Sequence, residues 1–351
     1  MDTALTRLTG VRYPVMQTGM GWVAGPRLVS ATANAGGLGI LASATMTYSE
    51  LAHAIRETRA RTEQPFGVNL RADAHDAEQR VELLIQEQVR VASFALAPKP
   101  ELIAKLKQAG VVVIPSVGAA RHARKVAGWG ADAVLVQGNE GGGHTGGVAT
   151  TLLLPAVVDA VDIPVIAAGG FFDGRGLAAA LCYGAAGIAM GTRFLLTQES
   201  PVPAAVKRQY LAHDLNGTVV THKVDGLPHR VLRTDLVNRL EHHGNLRGLV
   251  RALGNARRFR RLTGQSWRTL FRDGIALRHN KKLSWAQTVM AANTPMLLRA
   301  GLVQGDTAAG VLASGQVVGL LEDLPTCAEL IENLVTEARS TLARVARLDG
   351  R

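Results

Sequence analysis

The sequence predicts an α/β fold, a (β/α)8 TIM barrel with a helical, basic subdomain toward the C-terminus. Three observations support it: a length of 351 residues, eight short apolar runs, and helical periodicity between them. A barrel of this kind needs about 250 residues, so the chain has room for one barrel and an elaboration. With 47% hydrophobic residues the chain can bury a large core, which excludes a disordered protein.

Eight apolar runs between residues 14 and 191 predict the strands. Each is rich in Val, Ile or Leu without polar alternation, as expected for parallel strands that are buried on both faces. Eight strands alternating with helices favour a closed barrel, and an open doubly wound sheet is the alternative. The predicted strands are Pro14–Gln17, Leu38–Leu41, Phe66–Leu70, Val91–Phe94, Val111–Pro115, Ala133–Gln137, Pro164–Ala168 and Gly187–Met190. Helices are predicted at Pro26–Ala35, Tyr48–Arg61, Asp76–Glu87 and Pro100–Ala109.

The chain changes character after Phe194, where we expect helices and no further strands. We divide it into a barrel (residues 1–200), a basic helical cap (201–310) and a C-terminal segment (311–351) that packs on the barrel. That last segment holds a predicted helix from about Leu324 to Arg347. Residues 201–300 carry 18 Lys and Arg against 5 Asp and Glu, which gives this segment a net charge of +13. That exceeds the net charge of the whole chain, +11. Such a segment can attract nucleic acid, anionic lipid or a polyphosphate substrate.

The two cysteines and the termini exclude several classes of protein. Cys182 and Cys327 lie in apolar, helix-like stretches without a C-x-x-C motif, so we expect buried, inert thiols and neither a disulfide scaffold nor a metal site. No secretory leader and no run of about 18 apolar residues is visible. We therefore expect a cytoplasmic protein without a membrane span.

Candidate binding residues follow the predicted strands, because the active site of such a barrel lies at the carboxyl ends of its strands. Amides, glycines and hydroxyls dominate there, which favours a neutral heteroaromatic ligand with a phosphate over a metal or a sugar. Gly169-Gly170 and Gly191-Thr192 follow the seventh and eighth strands, where barrels often bind phosphate through backbone N–H groups. Arg193 is expected to add charge. The alternative is that these glycines only make tight turns.

The segment Gly138–Gly147 places one histidine, His144, among glycines just after the sixth predicted strand. A histidine at the reactive face can take or give a proton near neutral pH. An exposed loop histidine without a function is the alternative, and the other nine histidines have no comparable setting. Asp173 is predicted to cap a helix rather than to do chemistry.

Six ordered motifs within residues 8–200 resemble the nitronate monooxygenase superfamily, which includes FMN-dependent enoyl-acyl-carrier reductases. The motifs are Pro14–Met20, Gly36–Gly39, Phe66–Asn69, Gly138–His144 with Gly147, Ile166–Gly170 and Gly187–Arg193. The resemblance makes His144 the match to the family's proton-transferring histidine. It also implies that FMN is bound by Gln17, Thr18, Gly19, Met20, Asn69, Gln137, Gly142, Gly169, Gly170, Gly191 and Thr192.

The resemblance leaves two reactions open. In nitronate monooxygenases the histidine removes the proton next to the nitro group, and the reduced flavin then meets oxygen. In the reductases the flavin carries hydride from NAD(P)H to a conjugated thioester. Gly19–Thr45, Gly138–Thr151 and Ala291–Leu298 also resemble actinobacterial flavin enzymes of steroid C/D-ring breakdown, which interconvert saturated and α,β-unsaturated acyl-CoA thioesters with NAD(H).

The basic segment favours the thioester, because arginines pair well with the phosphates of coenzyme A. Its densest parts are Arg251–Arg261 and Arg268–Lys282. A solvated basic face is the alternative. Few aromatic residues lie in this segment and it contains no recognised nucleic-acid module, so we expect no nucleic-acid partner. We expect a small-molecule acyl-CoA substrate and NAD(P)H as co-substrate, and a homo-oligomer stays open.

Overall fold

Eight parallel strands close into a barrel in the computed structural model, which describes residues 1–242 and 293–349. The strand order is β1-β2-β3-β4-β5-β6-β8-β9, and β9 pairs with β1 to complete the ring. All eight predicted strands are confirmed within two residues at each end. They are β1 (Val15–Gln17), β2 (Leu38–Ala42), β3 (Phe66–Leu70), β4 (Val91–Phe94), β5 (Val112–Val117), β6 (Val134–Gln137), β8 (Val165–Ala168) and β9 (Gly187–Met190).

Helices connect the strands and surround the barrel. The four predicted helices are confirmed, and the helix at Tyr48–Arg61 begins with a capping box formed by Thr47 and Glu50. The prediction that Asp173 caps a helix is also confirmed, because its carboxylate accepts the N–H of Gly176 at 2.9 Å. The helices are α1 (Ala4–Thr9), α2 (Pro26–Asn34), α3 (Tyr48–Arg61), α4 (Ala77–Gln86), α5 (Pro100–Gln108), α6 (Ala120–Gly128), α7 (Thr150–Val158), α8 (Gly174–Cys182) and α9 (Thr192–Leu195), with a 3-10 turn at Ser43–Thr45.

The alternation of side chains along β3 decides which of its residues face the barrel interior. Phe66, Val68 and Leu70 pack against the surrounding helices. Because successive side chains of a strand point to opposite faces, Gly67 and Asn69 face inward. Asn69 therefore lies inside the barrel near the carboxyl end of its strand.

The prediction that no strand follows Phe194 is wrong. Strands β10 (Thr218–Thr221) and β11 (His229–Leu232) form an antiparallel hairpin, and the two-residue strand β7 (Gly143–His144) pairs with β11. The run Thr218-Val-Val-Thr221 is β-branched throughout, which favours an extended strand, and Gly226 turns the chain with a φ of 83°. We call Thr218–Leu232 the hairpin. The remaining described elements are helices α10 (Ala204–Leu211), α11 (Asp235–His242), α12 (Asn293–Leu302) and α13 (Cys327–Ala346), with 3-10 turns at Gln316–Leu320 and Arg347–Asp349.

The predicted C-terminal helix is confirmed as α13, which packs on α8 and α2. A Cβ at Gly174 would lie 2.4 Å from the carbonyl oxygen of Leu334, so α8 can approach α13 only because residue 174 is glycine. Val206 and Tyr210 of α10 share one buried cluster with Ile188 of the barrel. The divisions at residues 200 and 310 stay predictions, and the basic stretches Arg251–Arg261 and Arg268–Lys282 lie outside the described residues.

The two cysteines differ, so the expectation of two buried thiols is wrong for one of them. Cys182 is the last residue of α8 and is exposed. Cys327 is fully buried, and burial raises the pKa of its thiol to about 12. Within residues 1–242 and 293–349 no helix is long and apolar enough to cross a membrane.

Candidate active site

The turns that follow the strands meet at one end of the barrel, which we call the mouth. Glycines let these turns approach closely. A Cβ at Gly19 would lie 2.6 Å from the Cβ of Asn69, and a Cβ at Gly191 would lie 3.2 Å from Thr18 Oγ1 and 3.6 Å from Met20 Sδ. The structure thus brings together the predicted residues that follow β1, β3 and β9.

The turns after β6 and β8 complete the mouth. Gly169, with a φ of 90°, lies against the loop after β6, where an added Cβ would be 3.0 Å from the carbonyl oxygen of Gly138. A Cβ at Gly142 would be 2.6 Å from the backbone nitrogen of Gly315, and Thr192 Oγ1 accepts the N–H of Gly315 at 2.9 Å. Gly315, which the sequence did not implicate, therefore joins Gly142 to Thr192.

Backbone N–H groups in the turns after β8 and β9 are available to a ligand. Among the described residues, no acceptor takes the N–H of Gly170, Phe171, Gly191 or Thr192. Gly169 and Gly170 have successive φ angles of 90° and 83°. Successive N–H groups in such turns form a concave site for anions, so this part of the mouth fits a phosphate.

The charge that Arg193 was expected to add does not reach this site. Its side chain is buried, 4% exposed, and donates to Asp323 Oδ1 at 2.7 Å and to the carbonyl oxygen of Leu196 at 3.0 Å. That expectation is wrong, because the guanidinium links α9 to the segment that precedes α13. A phosphate bound in the turns after β8 and β9 would therefore meet backbone N–H groups and not the guanidinium of Arg193.

The amide side chains of Gln17 and Asn69 differ in their hydrogen-bond partners. Gln17 is fully buried; its amide nitrogen donates to the carbonyl oxygens of Thr18 and Ile40, and its Oε1 has no partner among the described residues. Asn69 Nδ2 donates to Ser93 Oγ at 3.3 Å. A buried acceptor without a partner costs free energy, so Gln17 Oε1 suits a ligand N–H. Gln17 Oε1 and the unpaired backbone N–H groups together fit a neutral heterocycle that carries a phosphate.

His144 is held at the mouth by two kinds of contact. Gln137 Nε2 donates to its carbonyl oxygen at 2.9 Å, and β7 pairs with β11 so that His144 lies opposite His229. The imidazole is 51% exposed, and its Nε2 lies 2.6 Å from Asp225 Oδ2. A half-exposed imidazole with a buried carboxylate behind it is suited to proton transfer.

Asp225 is a buried, ionised carboxylate at the base of the hairpin turn. Burial opposes its ionisation, but the hydrogen bond from His144 and the neighbouring His229 outweigh burial and hold the pKa of Asp225 well below its usual range. Its Oδ1 accepts the N–H of Leu227 at 3.1 Å. The side chain is therefore charged throughout the neutral range.

His229 is a buried histidine that lies next to both Asp225 and His144. It is 2% exposed, and its ring centroid lies 4.6 Å from that of His144. Burial lowers the pKa of His229, against the opposing effect of Asp225. The ring is therefore neutral near pH 7, which corrects the expectation that no other histidine has a comparable setting.

Ligand atoms of His144, Asp225 and His229 all lie within 4.8 Å of one another, a spacing that metal sites also show. The 2.6 Å separation of His144 Nε2 and Asp225 Oδ2 is that of a charge-assisted hydrogen bond. Two ligands bound at about 2.0–2.2 Å around a tetrahedral ion stand farther apart than this. The described geometry is thus that of a hydrogen-bonded pair.

Sequence reasoning missed Asp225, His229 and Arg230, which all come from the hairpin. Arg230 is buried and donates to the carbonyl oxygen of Asn139 at 3.0 Å and to Thr218 Oγ1 at 3.0 Å, so it ties the hairpin to the glycine loop. The β-branched run before the turn was the available local signal for a strand.

Comparison with known proteins assigns the family. The family model described as nitronate monooxygenase matches residues 2–80 and 73–337. The chain belongs to the nitronate monooxygenase family. It is 31% identical over 293 residues to a probable nitronate monooxygenase of Staphylococcus haemolyticus, covering 70% of this chain and 82% of that protein.

Two relatives are much more similar. Both carry the name (3aS,4S,5R,7aS)-5-hydroxy-7a-methyl-1-oxo-octahydro-1H-indene-4-carboxyl-CoA dehydrogenase. The protein of Rhodococcus jostii strain RHA1 is 72% identical over 338 residues, 96% of each chain. That of Mycobacterium tuberculosis is 69% identical over 351 residues, 99% of each chain.

Solved structures share the whole fold. The FabK structure from Thermotoga maritima has a TM-score of 0.81 at 33% identity and covers 99% of both chains. A nitroalkane oxidase of Streptomyces ansochromogenes has a TM-score of 0.75 at 29% identity, covering 98% of this chain and 100% of that one. The protein is thus an oxidoreductase with the TIM-barrel fold.

Proposed function

We propose that this chain is an FMN-dependent oxidoreductase that interconverts a saturated and an α,β-unsaturated bicyclic acyl-CoA thioester with NAD(P)(H). One observation carries the proposal: a half-exposed imidazole, His144, stands at a barrel mouth lined by neutral hydrogen-bonding groups and free backbone N–H groups. The 72% and 69% identical relatives name the substrate, a hydroxy-methyl-oxo-indane carboxyl-CoA thioester.

The donors and acceptors at the mouth support the binding of FMN. We assign the phosphate to the N–H groups after β8 and β9, at Gly169-Gly170 and Gly191-Thr192. We assign the heterocycle to Gln17–Met20, Asn69, Gln137 and Gly142. Bound FMN would supply the group that accepts and returns hydride.

His144 performs the proton transfer in this proposal. The thioester carbonyl acidifies its α-carbon, and the imidazole accepts the α-proton while hydride leaves the β-carbon. In sum, the saturated thioester and NAD(P)⁺ give the unsaturated thioester, NAD(P)H and a proton; the reverse reaction returns the proton from His144. A positioned general base of this kind contributes roughly 10²–10⁴-fold to the rate.

A cationic side chain beside the mouth favours a CoA ester over a small nitronate. Trp22, in the turn after β1, donates its Nε1–H to the carbonyl oxygen of Pro295 at 3.0 Å, which docks α12 against this turn. The guanidinium of Arg299 on α12 lies 5.3 Å from the Trp22 ring centroid, and its Nε has no partner among the described residues. We propose that Arg299 attracts the phosphates of CoA.

Anaerobic stopped-flow mixing of the FMN-loaded enzyme with NADH and NADPH tests the proposal. We expect rapid bleaching of the flavin absorbance by at least one of them, and reoxidation when the unsaturated indene-carboxyl-CoA thioester is added. The second candidate, nitronate oxidation, is favoured by the family model itself. No bleaching by either nucleotide, with fast bleaching by propyl-2-nitronate, would establish nitronate oxidation instead.

A further inference from the structure

We propose that Asp225 is a positioning residue for His144: its carboxylate accepts the Nε2–H of the imidazole, so that Nδ1 carries the lone pair that takes the substrate proton. This inference deepens the proposed function and rests on it for the identity of the proton. The hydrogen bond itself does not depend on the substrate.

The hairpin brings the two residues together from positions 81 apart in the chain. Pairing of β11 with β7 sets His229 opposite His144, and the N–H of Thr145 donates to the carbonyl oxygen of Pro228 at 3.2 Å. Asp225 precedes His229 by four residues, at the turn. Backbone pairing therefore places Asp225 close to His144 in the fold independently of their side-chain contact.

The surroundings leave His144 Nε2 with the role of donor. An ionised carboxylate only accepts hydrogen bonds, so the nitrogen 2.6 Å from Asp225 Oδ2 must carry the proton. In a neutral imidazole the other nitrogen then has the lone pair. Among the described residues no side chain or backbone group hydrogen-bonds to His144 Nδ1, so it is open to a substrate.

Three other charged or titratable groups among the described residues lie near this pair, and each has its own contacts. His229 Nδ1 stays 3.8 Å from Asp225 Oδ2, and its ring is buried and neutral. The guanidinium of Arg230 donates to Asn139 and Thr218, and the carboxylate of Glu140 accepts from the backbone and hydroxyl of Thr150. Asp225 is thus the group that determines which imidazole nitrogen is protonated.

The first test needs no substrate. In ¹⁵N-histidine-labelled, FMN-loaded enzyme, at a pH high enough for the His144 ring to be neutral, with His144→Gln used to assign the resonance, we expect Nε2 protonated and Nδ1 unprotonated. In Asp225→Asn, whose amide can donate as well as accept, we expect a mixture of the two tautomers. A wild-type His144 protonated on Nδ1 overturns the proposal whatever the variants do.

The second test measures turnover of the indane-carboxyl-CoA thioester. Asp225→Asn should lower kcat by about 10²–10³-fold, because part of the imidazole takes the wrong tautomer and the imidazolium formed by proton transfer loses its carboxylate partner, while KM stays within about threefold. Asp225→Glu should recover part of the loss. The control Asp214→Asn removes a carboxylate in the loop before β10 that, within the described part of the chain, accepts the N–H of Asn216, and should keep wild-type kcat.

Outcomes separate the two proposals. If wild-type His144 has the expected tautomer but neither the wild type nor any variant turns over the thioester, the proposed function is rejected. The positioning role of Asp225 then stands. Wild-type kcat in a folded Asp225→Asn enzyme overturns the positioning role and leaves the proposed function standing. If Asp225→Asn does not fold, the wild-type tautomer and the Asp225→Glu kcat still decide.

Discussion

The turns after β8 and β9 and the hairpin both border the mouth, but they are built from different groups. The turns offer backbone N–H groups on glycines, and the guanidinium of Arg193, which follows the turn after β9, is turned into the fold. The hairpin offers buried, charged side chains, Asp225 and Arg230. Cofactor binding should therefore respond to changes that add a Cβ, whereas proton transfer should respond to changes that remove a side-chain group.

The largest effect is expected at the imidazole that the hairpin holds. His144→Ala should lower kcat with the thioester by roughly 10²–10⁴-fold, because the general base is lost. Flavin binding should persist, since the phosphate donors lie on other turns. Steady-state kinetics and flavin absorbance after gel filtration measure both. Full activity in His144→Ala, or loss of both properties together, would remove the distinction between the two regions.

An added Cβ should have its main effect in the turns. Gly169→Ala places a side chain at a φ of 90° and 3.0 Å from the carbonyl oxygen of Gly138. The left-handed backbone alone costs about 1–2 kcal/mol of unfolding free energy. We expect a lower Tm and at least tenfold weaker FMN binding by fluorescence titration.

Gly110→Ala is the matched control, because Gly110 has a φ of 75° and open space around its Cβ position in the turn before β5. It should lower Tm through the same backbone strain and leave FMN affinity unchanged. Equal losses of FMN affinity in both variants would show that the turn after β8 is not a cofactor site.

A smaller effect is expected from pH at His229. Burial lowers the pKa of His229 in the folded protein, whereas the unfolded chain binds a proton below about pH 6.5. The unfolded state therefore binds more protons as pH falls below 6.5, and the stability that neutral His229 contributes is lost in that direction.

His229→Phe removes this proton-linked loss, so the variant should gain stability relative to wild type between pH 7.5 and pH 5.5. The gain is at most about 1.4 kcal/mol per pH unit, measured by urea unfolding at three pH values. His53→Gln is the control, since the side chain of His53 is 82% exposed on α3. Parallel curves for His229→Phe and wild type would contradict the buried, neutral histidine.

The barrel was predictable from sequence and the hairpin was not, for a physical reason. Strands buried on both faces must be continuously apolar, so runs such as Val91–Phe94 and Gly187–Met190 identify themselves locally. The glycines of the mouth could also be recognised locally, because they follow directly after the predicted strands. Asp225 has no local signal, because its role depends on pairing between β7 and β11 across 81 residues.

The central claim is that His144, held by the hairpin, removes the α-proton of a thioester bound at the mouth. Incubating FMN-loaded enzyme with the saturated indane-carboxyl-CoA thioester in D₂O, without nicotinamide, and following the α-proton by NMR tests this claim directly. We predict α-deuteration catalysed by the wild type and at least 100-fold slower exchange with His144→Ala. Equal exchange rates in the two proteins would contradict the account.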